Sequence, residues 1–369
     1  MDQANVVIIG GGVVGSAIAR ELSSRWDDVF LLEALPKPGL GASTRNSGVI
    51  HSGIHYPPAS LKARLCVRGN RLTKEFCAAH GVPHRNCGKL VVAASPAEEG
   101  ELEKLLERGR ANGVEGLRIV DQAAIRAREP HIRGCKALEA PSTGIVSSEE
   151  LVKAYARVAQ EQGANIVTHA RVARLEPAGN RIRVTSAAGE IEARCLVNSA
   201  GLFADEVAAM LGSPLARHRI YPVRGEYCEL ARAKWDWVRH LVYPLPHPEG
   251  LSLGTHLTKT VEGSVLVGPT AHYIESKTDY EKNREPVEEF VRRAKALLPE
   301  ITAGDLAPAY TGIRAKLVPP GEKGVADFIV ERDPRFPFVV QLMGIESPGL
   351  TSAPAIAEHV AQLASQILQ

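Results

Sequence analysis

Val6-Val7-Ile8-Ile9-Gly10-Gly11-Gly12-Val13-Val14-Gly15 is a β-branched run that empties into glycines. Such a run predicts a strand covered on both faces of a parallel sheet. Ser16 to Ser24 then reads as a helix and Val29-Phe30-Leu31-Leu32 as the next strand, which makes a βαβ unit. In that setting Gly10-x-Gly12-x-x-Gly15 has a physical meaning. Gly10 permits the tight turn, Gly12 lets backbone approach a pyrophosphate, and Gly15 lets helix and strand pack closely. The free N–H groups of the helix start, around Val13 and Val14, face the anion. Glu33 ends the second strand, at the distance where a carboxylate accepts from a ribose hydroxyl. The chain is therefore read as dinucleotide-binding, and this loop alone leaves a nicotinamide and a flavin dinucleotide both open.

The rest of the chain is long enough for more than one such unit. Its 369 residues correspond to between two and three domains of about 150 residues each. With 44% hydrophobic and 23% charged residues it has the composition of a globular protein with a real core. A net charge of +2, from 44 basic and 42 acidic residues, provides no field suited to a phosphate backbone, so nucleic acid is not an expected partner. The cysteines (Cys66, Cys77, Cys87, Cys135, Cys195, Cys228) lack C-x-x-C or metal-ligand spacing. They read as reduced thiols, and no metal is expected. The N-terminus lacks the basic region of a signal peptide, and the apolar stretch Val6 to Ala19 is too short to span a bilayer. The expected location is cytoplasmic, with peripheral docking at the inner membrane face left open.

Further along, Ser147 and Glu150 suggest a capping box for a helix over Leu151 to Gln162, ended by Gly163 and followed by a strand at Ile166 to Thr168. Ile182 to Thr185 and Ile191 to Val197 read as strands joined at Gly189. Cys87 to Ala94, Arg219 to Glu229 and Leu251 to Gly268 have the texture of antiparallel strands in one sheet. Val287, Phe290, Val291, Ala294, Leu297 and Leu298 recur at helical spacing and predict a helix packed on it, and Leu102, Leu105 and Leu106 predict another. A final helix is expected over Ala355 to Leu368.

Two more stretches suit a longer cofactor. Gly39 to Ser47, rich in Gly, Ser and Thr, offers hydroxyls and N–H groups, and Asn198-Ser199-Ala200-Gly201 makes a second small-residue turn after a strand. With Asn46-Ser-Gly-Val-Ile-His51-Ser-Gly-Ile, Ser60-Leu-Lys-Ala-Arg-Leu-Cys-Val, Cys87-Gly-Lys-Leu-Val-Val-Ala, Ser142-Thr-Gly-Ile-Val146, Gly254-Thr-His256-Leu-Thr and Gly312-Ile-Arg314, the chain resembles the FAD-dependent oxidoreductases of the D-amino-acid oxidase and glycine oxidase superfamily. Within it the chain is most similar to the L-2-hydroxyglutarate dehydrogenase branch. The resemblance implies an α/β fold in which a Rossmann-type FAD-binding domain (1–80, 145–215, 312–369) is interleaved with an α+β substrate domain on a mostly antiparallel sheet (81–144, 216–311). It implies FAD contacts at Glu33, Ala34, Ser43, Thr44, Arg45, Asn46, Ser47, Val172, Ala200 and Gly201. It adds Gly344, Ser347, Pro348, Gly349, Leu350 and Thr351 near the flavin ring. Non-covalent FAD is expected, with a covalent bond at His51 as the alternative. Thr255 departs from an expected valine, and the loop at Gly344–Gly349 lacks the Gly-His-Gly of amino-acid oxidases, which points away from an amino-acid substrate.

The resemblance also implies that Arg314 holds a substrate carboxylate, which a planar guanidinium matches bidentately. The expected reaction is oxidation of a small 2-hydroxy acid, L-2-hydroxyglutarate first, with hydride passing from C2 to the flavin. Amino-acid or N-methyl-amino-acid oxidation and a non-catalytic redox sensor are the alternatives. Because an alcohol does not lose its proton unaided, a base is needed. His256 is favoured, with His51 and His55 as alternatives. Tyr56 and Tyr243 either donate hydrogen bonds in the pocket or pack in the core, and Lys89 and Lys316 either lie near the flavin or are solvated. No second glycine fingerprint suggests an NAD(P)H site, so the electron acceptor is expected to be oxygen, a quinone or an electron-transfer protein.

Overall fold

The computed structural model describes residues 2–246 and 254–369. Its helices are α1 (Val13–Ser23), α2 (Leu61–His80), α3 (Glu99–Ala111), α4 (Gln122–Arg128), α5 (Ser148–Glu161), α6 (Ala204–Met210), α7 (Val287–Ala294) and α8 (Gly349–Leu368). The opening βαβ unit lies where its sequence places it. Asp2–Ile9 pairs in parallel with Val29–Leu32, Val6 opposite Val29, and α1 connects the two.

These strands belong to an eight-stranded sheet. Asp2–Ile9 also pairs in parallel with Gly189–Asn198, which in turn pairs in parallel with Val339–Met343. Asn165–Val167 extends one side, and the antiparallel strands Val172–Ala178 and Arg181–Ser186 extend the other. Alternation of side chains explains why the central strands are apolar throughout. Val6, Ile8, Leu31 and Val197 pack against Ile18 and Leu22 of α1, Tyr155 of α5, and Ile356 and Val360 of α8. Val7, Ile9, Leu32 and Leu196 face the opposite way, against Leu175, Val184 and Val207.

The second sheet has nine strands, ordered His272–Tyr273, Tyr221–Leu230, Val265–Gly268, His256–Lys259, Leu241–Pro244, Lys89–Ala93, Lys136–Ala140 and Arg118–Asp121, with Leu306–Lys316 paired to Tyr221–Leu230. Every pairing but one is antiparallel: Leu241–Pro244 runs parallel to Lys89–Ala93. Phe290 and Val291 of α7 bury against one region of this sheet, and Leu102 and Leu105 of α3 against Val91, Leu138 and Tyr243. A small sheet of Val49–Ile50, Gly144–Val146 and His84–Arg85 lies between the two.

Several expectations change. Helix α8 starts at Gly349, so Gly349 to Thr351 form its first turn rather than precede it, and Pro354 lies inside the helix. Proline there removes only the bond to the Leu350 carbonyl, a loss that the deeply buried apolar face of α8 outweighs. The strand Leu306–Lys316 runs through the expected domain boundary at 311/312 and stays paired to Tyr221–Leu230 as far as Lys316. Arg314 is therefore carried by the substrate-side sheet. Ser147 accepts from the Glu150 N–H as an N-cap. Of the expected strand region Leu251 to Gly268, residues 251–253 lie outside the described residues, and the remainder forms two strands, His256–Lys259 and Val265–Gly268.

Candidate active site

A cavity of about 550 Å³ extends between the two large sheets. At one end lies the turn into α1. Gly10 has φ 99°, and a Cβ there would stand 2.6 Å from the Ser199 carbonyl oxygen. A Cβ on Gly15 would stand 1.9 Å from the Gly10 carbonyl oxygen, so both positions demand glycine. Gly12, Val13 and Val14 line the cavity at a helix start that has no side-chain cap on Gly12 and no acidic residue in its first turn. Ser43 Oγ accepts from the Val13 N–H at 2.8 Å, tying the 42–44 turn to this helix start. Ser43 takes up the Val13 N–H, and a glycine cap with no acidic residue in the first turn suits a pyrophosphate beside this helix start.

The walls are built by segments far apart in sequence. Asn46 Nδ2 donates to the Ser43 carbonyl at 2.6 Å and Asn46 Oδ1 accepts from Gly48 N–H at 2.8 Å, which fixes the loop that presents Arg45, Asn46 and Ser47. A Cβ on Gly312 would lie 2.0 Å from the Arg45 carbonyl oxygen, so this loop rests directly on the strand that carries Arg314. Gly201 lines the cavity from the second small-residue turn, and Ser347, Pro348, Gly349 and Leu350 line it at the start of α8.

At the far end the polar side chains gather. Tyr243 and His256 stack with ring centroids 3.8 Å apart, and Lys89 Nζ lies 4.7 Å from the Tyr243 ring centroid. The same ammonium meets His55 Nε2 at 3.0 Å. His51 Nε2 meets Ser347 Oγ at 3.3 Å, while its backbone N–H donates to Thr351 Oγ1 at 2.9 Å. Burial, reinforced by Lys89, lowers His51 to about 3. Burial likewise drives His55 and His256 well below the usual imidazole range, helped by Lys89, His51, His256 and Arg108 at His55 and by His51, Lys89 and Arg314 at His256. Lys89 is itself lowered to about 7 by burial. The imidazoles are therefore neutral, each with a ring nitrogen that can accept a hydrogen bond. Burial also pushes the Tyr56 and Tyr243 phenols up, so they remain donors.

Arg314 lines the cavity beside Gly225, where a Cβ would come within 2.7 Å of the guanidinium. Its Nη1 donates to the Thr270 carbonyl at 3.2 Å, and no carboxylate pairs with it among the described residues. Glu346 lies between Lys62 at 3.0 Å and Lys316 at 3.6 Å. Burial alone would raise its pKa, but the two lysines and Arg314 outweigh that and hold it below the usual carboxylate range.

His51, His55, His256, Arg314, Tyr56 and Tyr243 are thus brought together as the sequence suggests. Lys316 lines the cavity, whereas Lys89 lies behind His55 and Tyr243. Gly10, Gly15, Glu33, Ala34, Thr44, Val172, Ala200, Gly344 and Thr351 do not line the cavity. Most of these support it: Glu33 accepts from the N–H groups of Gly11 and Leu35, and Thr44 Oγ1 donates to the Gly39 carbonyl. Ala200 N–H donates to Asn198 Oδ1, and Gly344 takes φ 67° at the end of its strand. Val172, expected to contact FAD, lies in a strand and its side chain joins the core against Leu175 and Val184. The sequence reading missed Lys62, Glu346, Tyr227, Lys104 and Arg108 as lining residues. Lys62 stood in a quoted motif, but only the fold shows its partner. Among the described residues no group of three or more His, Cys, Asp or Glu side chains is arranged to hold a metal ion.

The comparisons with known proteins agree with this geometry. The chain matches the family described as FAD dependent oxidoreductase over residues 5–363. It is 35% identical to L-2-hydroxyglutarate dehydrogenase of Escherichia coli (strain K12), covering 98% of this chain and 93% of that one. It is 36% identical to the mitochondrial L-2-hydroxyglutarate dehydrogenase of Arabidopsis thaliana, covering 98% and 83%. Among solved structures it is similar to dithionite-reduced L-alpha-glycerophosphate oxidase from Mycoplasma pneumoniae with FAD bound, with TM-score 0.90 and 26% identity over 99% of this chain and 95% of that one. Glycine oxidase from Geobacillus kaustophilus, at TM-score 0.83 and 21% identity over 99% and 95%, shares the fold. The chain belongs to the family of FAD dependent oxidoreductases, with FAD as its cofactor.

Proposed function

We propose that this chain oxidises a small 2-hydroxy acid, L-2-hydroxyglutarate to 2-oxoglutarate being the leading pair. The observation that carries the proposal is the pairing, in one cavity, of neutral buried imidazoles with an arginine free of any carboxylate partner among the described residues. A substrate that arrives as an alcohol needs the first, and one that carries a carboxylate needs the second. The names of its relatives from bacteria, plants and animals support the same substrate.

Bound FAD supplies the acceptor for the hydride that leaves C2. Gly12, Val13, Val14 and Ser43 would hold its pyrophosphate, with Arg45 to Ser47, Gly201 and Ser347 to Leu350 available to hold the rest. Gly10, Gly15, Glu33, Ala34, Thr44, Ala200, Gly344 and Thr351 support these contacts. Non-covalent FAD is the leading reading, with a covalent bond at His51 as the alternative. Arg314 holds the C1 carboxylate, His256 takes the hydroxyl proton, and Tyr56 and Tyr243 orient the oxygen. His51 is the second reading for the base, favoured by its anchoring at Ser347 and Thr351.

The chain is read as two interleaved units, one per large sheet, with Leu306–Lys316 assigned to the substrate unit. No helix among the described residues is long and apolar enough to cross a membrane. A cytoplasmic location is proposed, with oxygen, a quinone or an electron-transfer protein reoxidising the flavin. Steady turnover of L-2-hydroxyglutarate with an artificial acceptor, and none of glycine, sarcosine or D-alanine, is the expected result. Turnover of the amino acids alone would replace this reading with an amino-acid oxidase, and flavin reduction without turnover would leave a redox sensor.

A further inference from the structure

Most cationic side chains lining the cavity are already committed. Lys62 and Lys316 lie on either side of Glu346, Lys104 pairs with Glu101 at 2.7 Å, and the Arg45 guanidinium lies 4.3 Å from the centroid of the Tyr280 ring. Two arginines of the lining, Arg314 and Arg108, have no carboxylate partner among the described residues. They approach the polar end from different elements. Arg314 comes from the strand Leu306–Lys316, and its charge reaches His256. Arg108 comes from the last turn of α3, and its charge reaches His55. His55 and His256 thus each lie within the field of a different guanidinium.

We infer that Arg108 is the anchor for a second, distal carboxylate, so that the site selects dicarboxylic over monocarboxylic 2-hydroxy acids. This rests on the 2-hydroxy acid reading above and adds the side-chain end of the substrate to it. With C1 on Arg314 and the reacting carbon at the imidazoles, the end of the substrate remote from C1 needs its own cation, because an unpaired carboxylate in a partly desolvated cavity is costly. Arg108 is exposed at the cavity wall, so its attraction is screened by salt and acts on binding rather than on the reacting atoms.

The test compares L-2-hydroxyglutarate with L-2-hydroxypentanoate, which replaces the distal carboxylate by a methyl group, on the holoenzyme and its variants. Arg108→Ala is expected to raise KM for the dicarboxylate about 10-fold, with kcat and the KM of the monocarboxylate changed less than about two-fold. Arg108→Lys recovers part of the loss, and Lys104→Ala leaves the ratio of the two substrates unchanged. Added salt raises KM for the dicarboxylate in the wild type but has little effect in Arg108→Ala. A wild type that prefers L-2-hydroxyglutarate while Arg108→Ala keeps that preference would overturn the inference and leave the proposed reaction standing. A wild type inert to both acids would overturn the reaction, and this inference with it.

Discussion

Three imidazoles and a lysine share the buried end of the cavity, and no carboxylate is in ion-pair contact with any of them among the described residues. Burial without a compensating negative charge gives the site its character: the imidazoles are kept neutral and Lys89 is brought down to about 7. His256→Ala is expected to lower turnover by roughly 10²- to 10⁴-fold with the flavin spectrum intact, whereas Arg314→Ala mainly raises KM. If His256→Ala retains its rate and His51→Ala loses it, the base is His51. Lys89 also makes stability depend on pH. Its folded pKa of about 7 lies below the ordinary lysine value of 10.5, so between those values the unfolded chain binds more protons and stability rises with pH. Denaturant titrations at pH 7 and pH 10 should show the wild type gaining on the order of 1–3 kcal/mol relative to Lys89→Met, and parallel behaviour of the two proteins would contradict the burial of this ammonium. Arg314, His51 and His256 were legible because each stands in a motif with a chemical role. Glu346 and Lys62 were not, since their pairing joins positions 284 residues apart.

At the scale of elements, α2 shows what a pattern of apolar residues leaves unseen. The sequence reading assigned no helix to Leu61–His80, although Ser60 accepts from the Ala63 N–H as an N-cap and Gly81 takes φ 69° after the last turn. Both end signals were present. The face between them buries small and polar side chains, Lys62, Cys66, Gly69, Asn70 and Thr73, rather than a stripe of leucines, so no strong period marks it. That face exists because α2 lies close against α8. A Cβ on Gly69 would come within 2.3 Å of the Thr351 carbonyl oxygen and 2.8 Å of Ser352 Cα. Backbone cannot yield as a side chain does, so Gly69→Val is expected to destabilise by about 2–3 kcal/mol or more and lower Tm. Because Thr351 Oγ1 also receives the His51 N–H, the same variant should weaken flavin retention on dialysis. A variant with unchanged Tm and flavin content would show that the two helices are not held this closely.

Across the whole molecule, the parallel strands and glycine turn were plain in the sequence because short-range patterns specify them. The second sheet was legible only in pieces. Its order brings Lys89–Ala93 beside Leu241–Pro244, a pairing that no local signal announces. That pairing brings the Lys89 ammonium over the Tyr243 ring, and its neighbour strand brings His256 against the other partner of the stack. The near balance of charge in the chain leaves carboxylate capture to local arginines rather than to an overall field. What unites the two sheets is the cavity between them, where a flavin and a hydroxy acid must meet for the account to hold. Mixing the yellow holoenzyme with L-2-hydroxyglutarate under anaerobic conditions tests this directly. The visible flavin band is expected to bleach, with 2-oxoglutarate formed in step, while glycine, sarcosine and D-alanine leave it unchanged. Bleaching by any of those amines, with none by L-2-hydroxyglutarate, would contradict it.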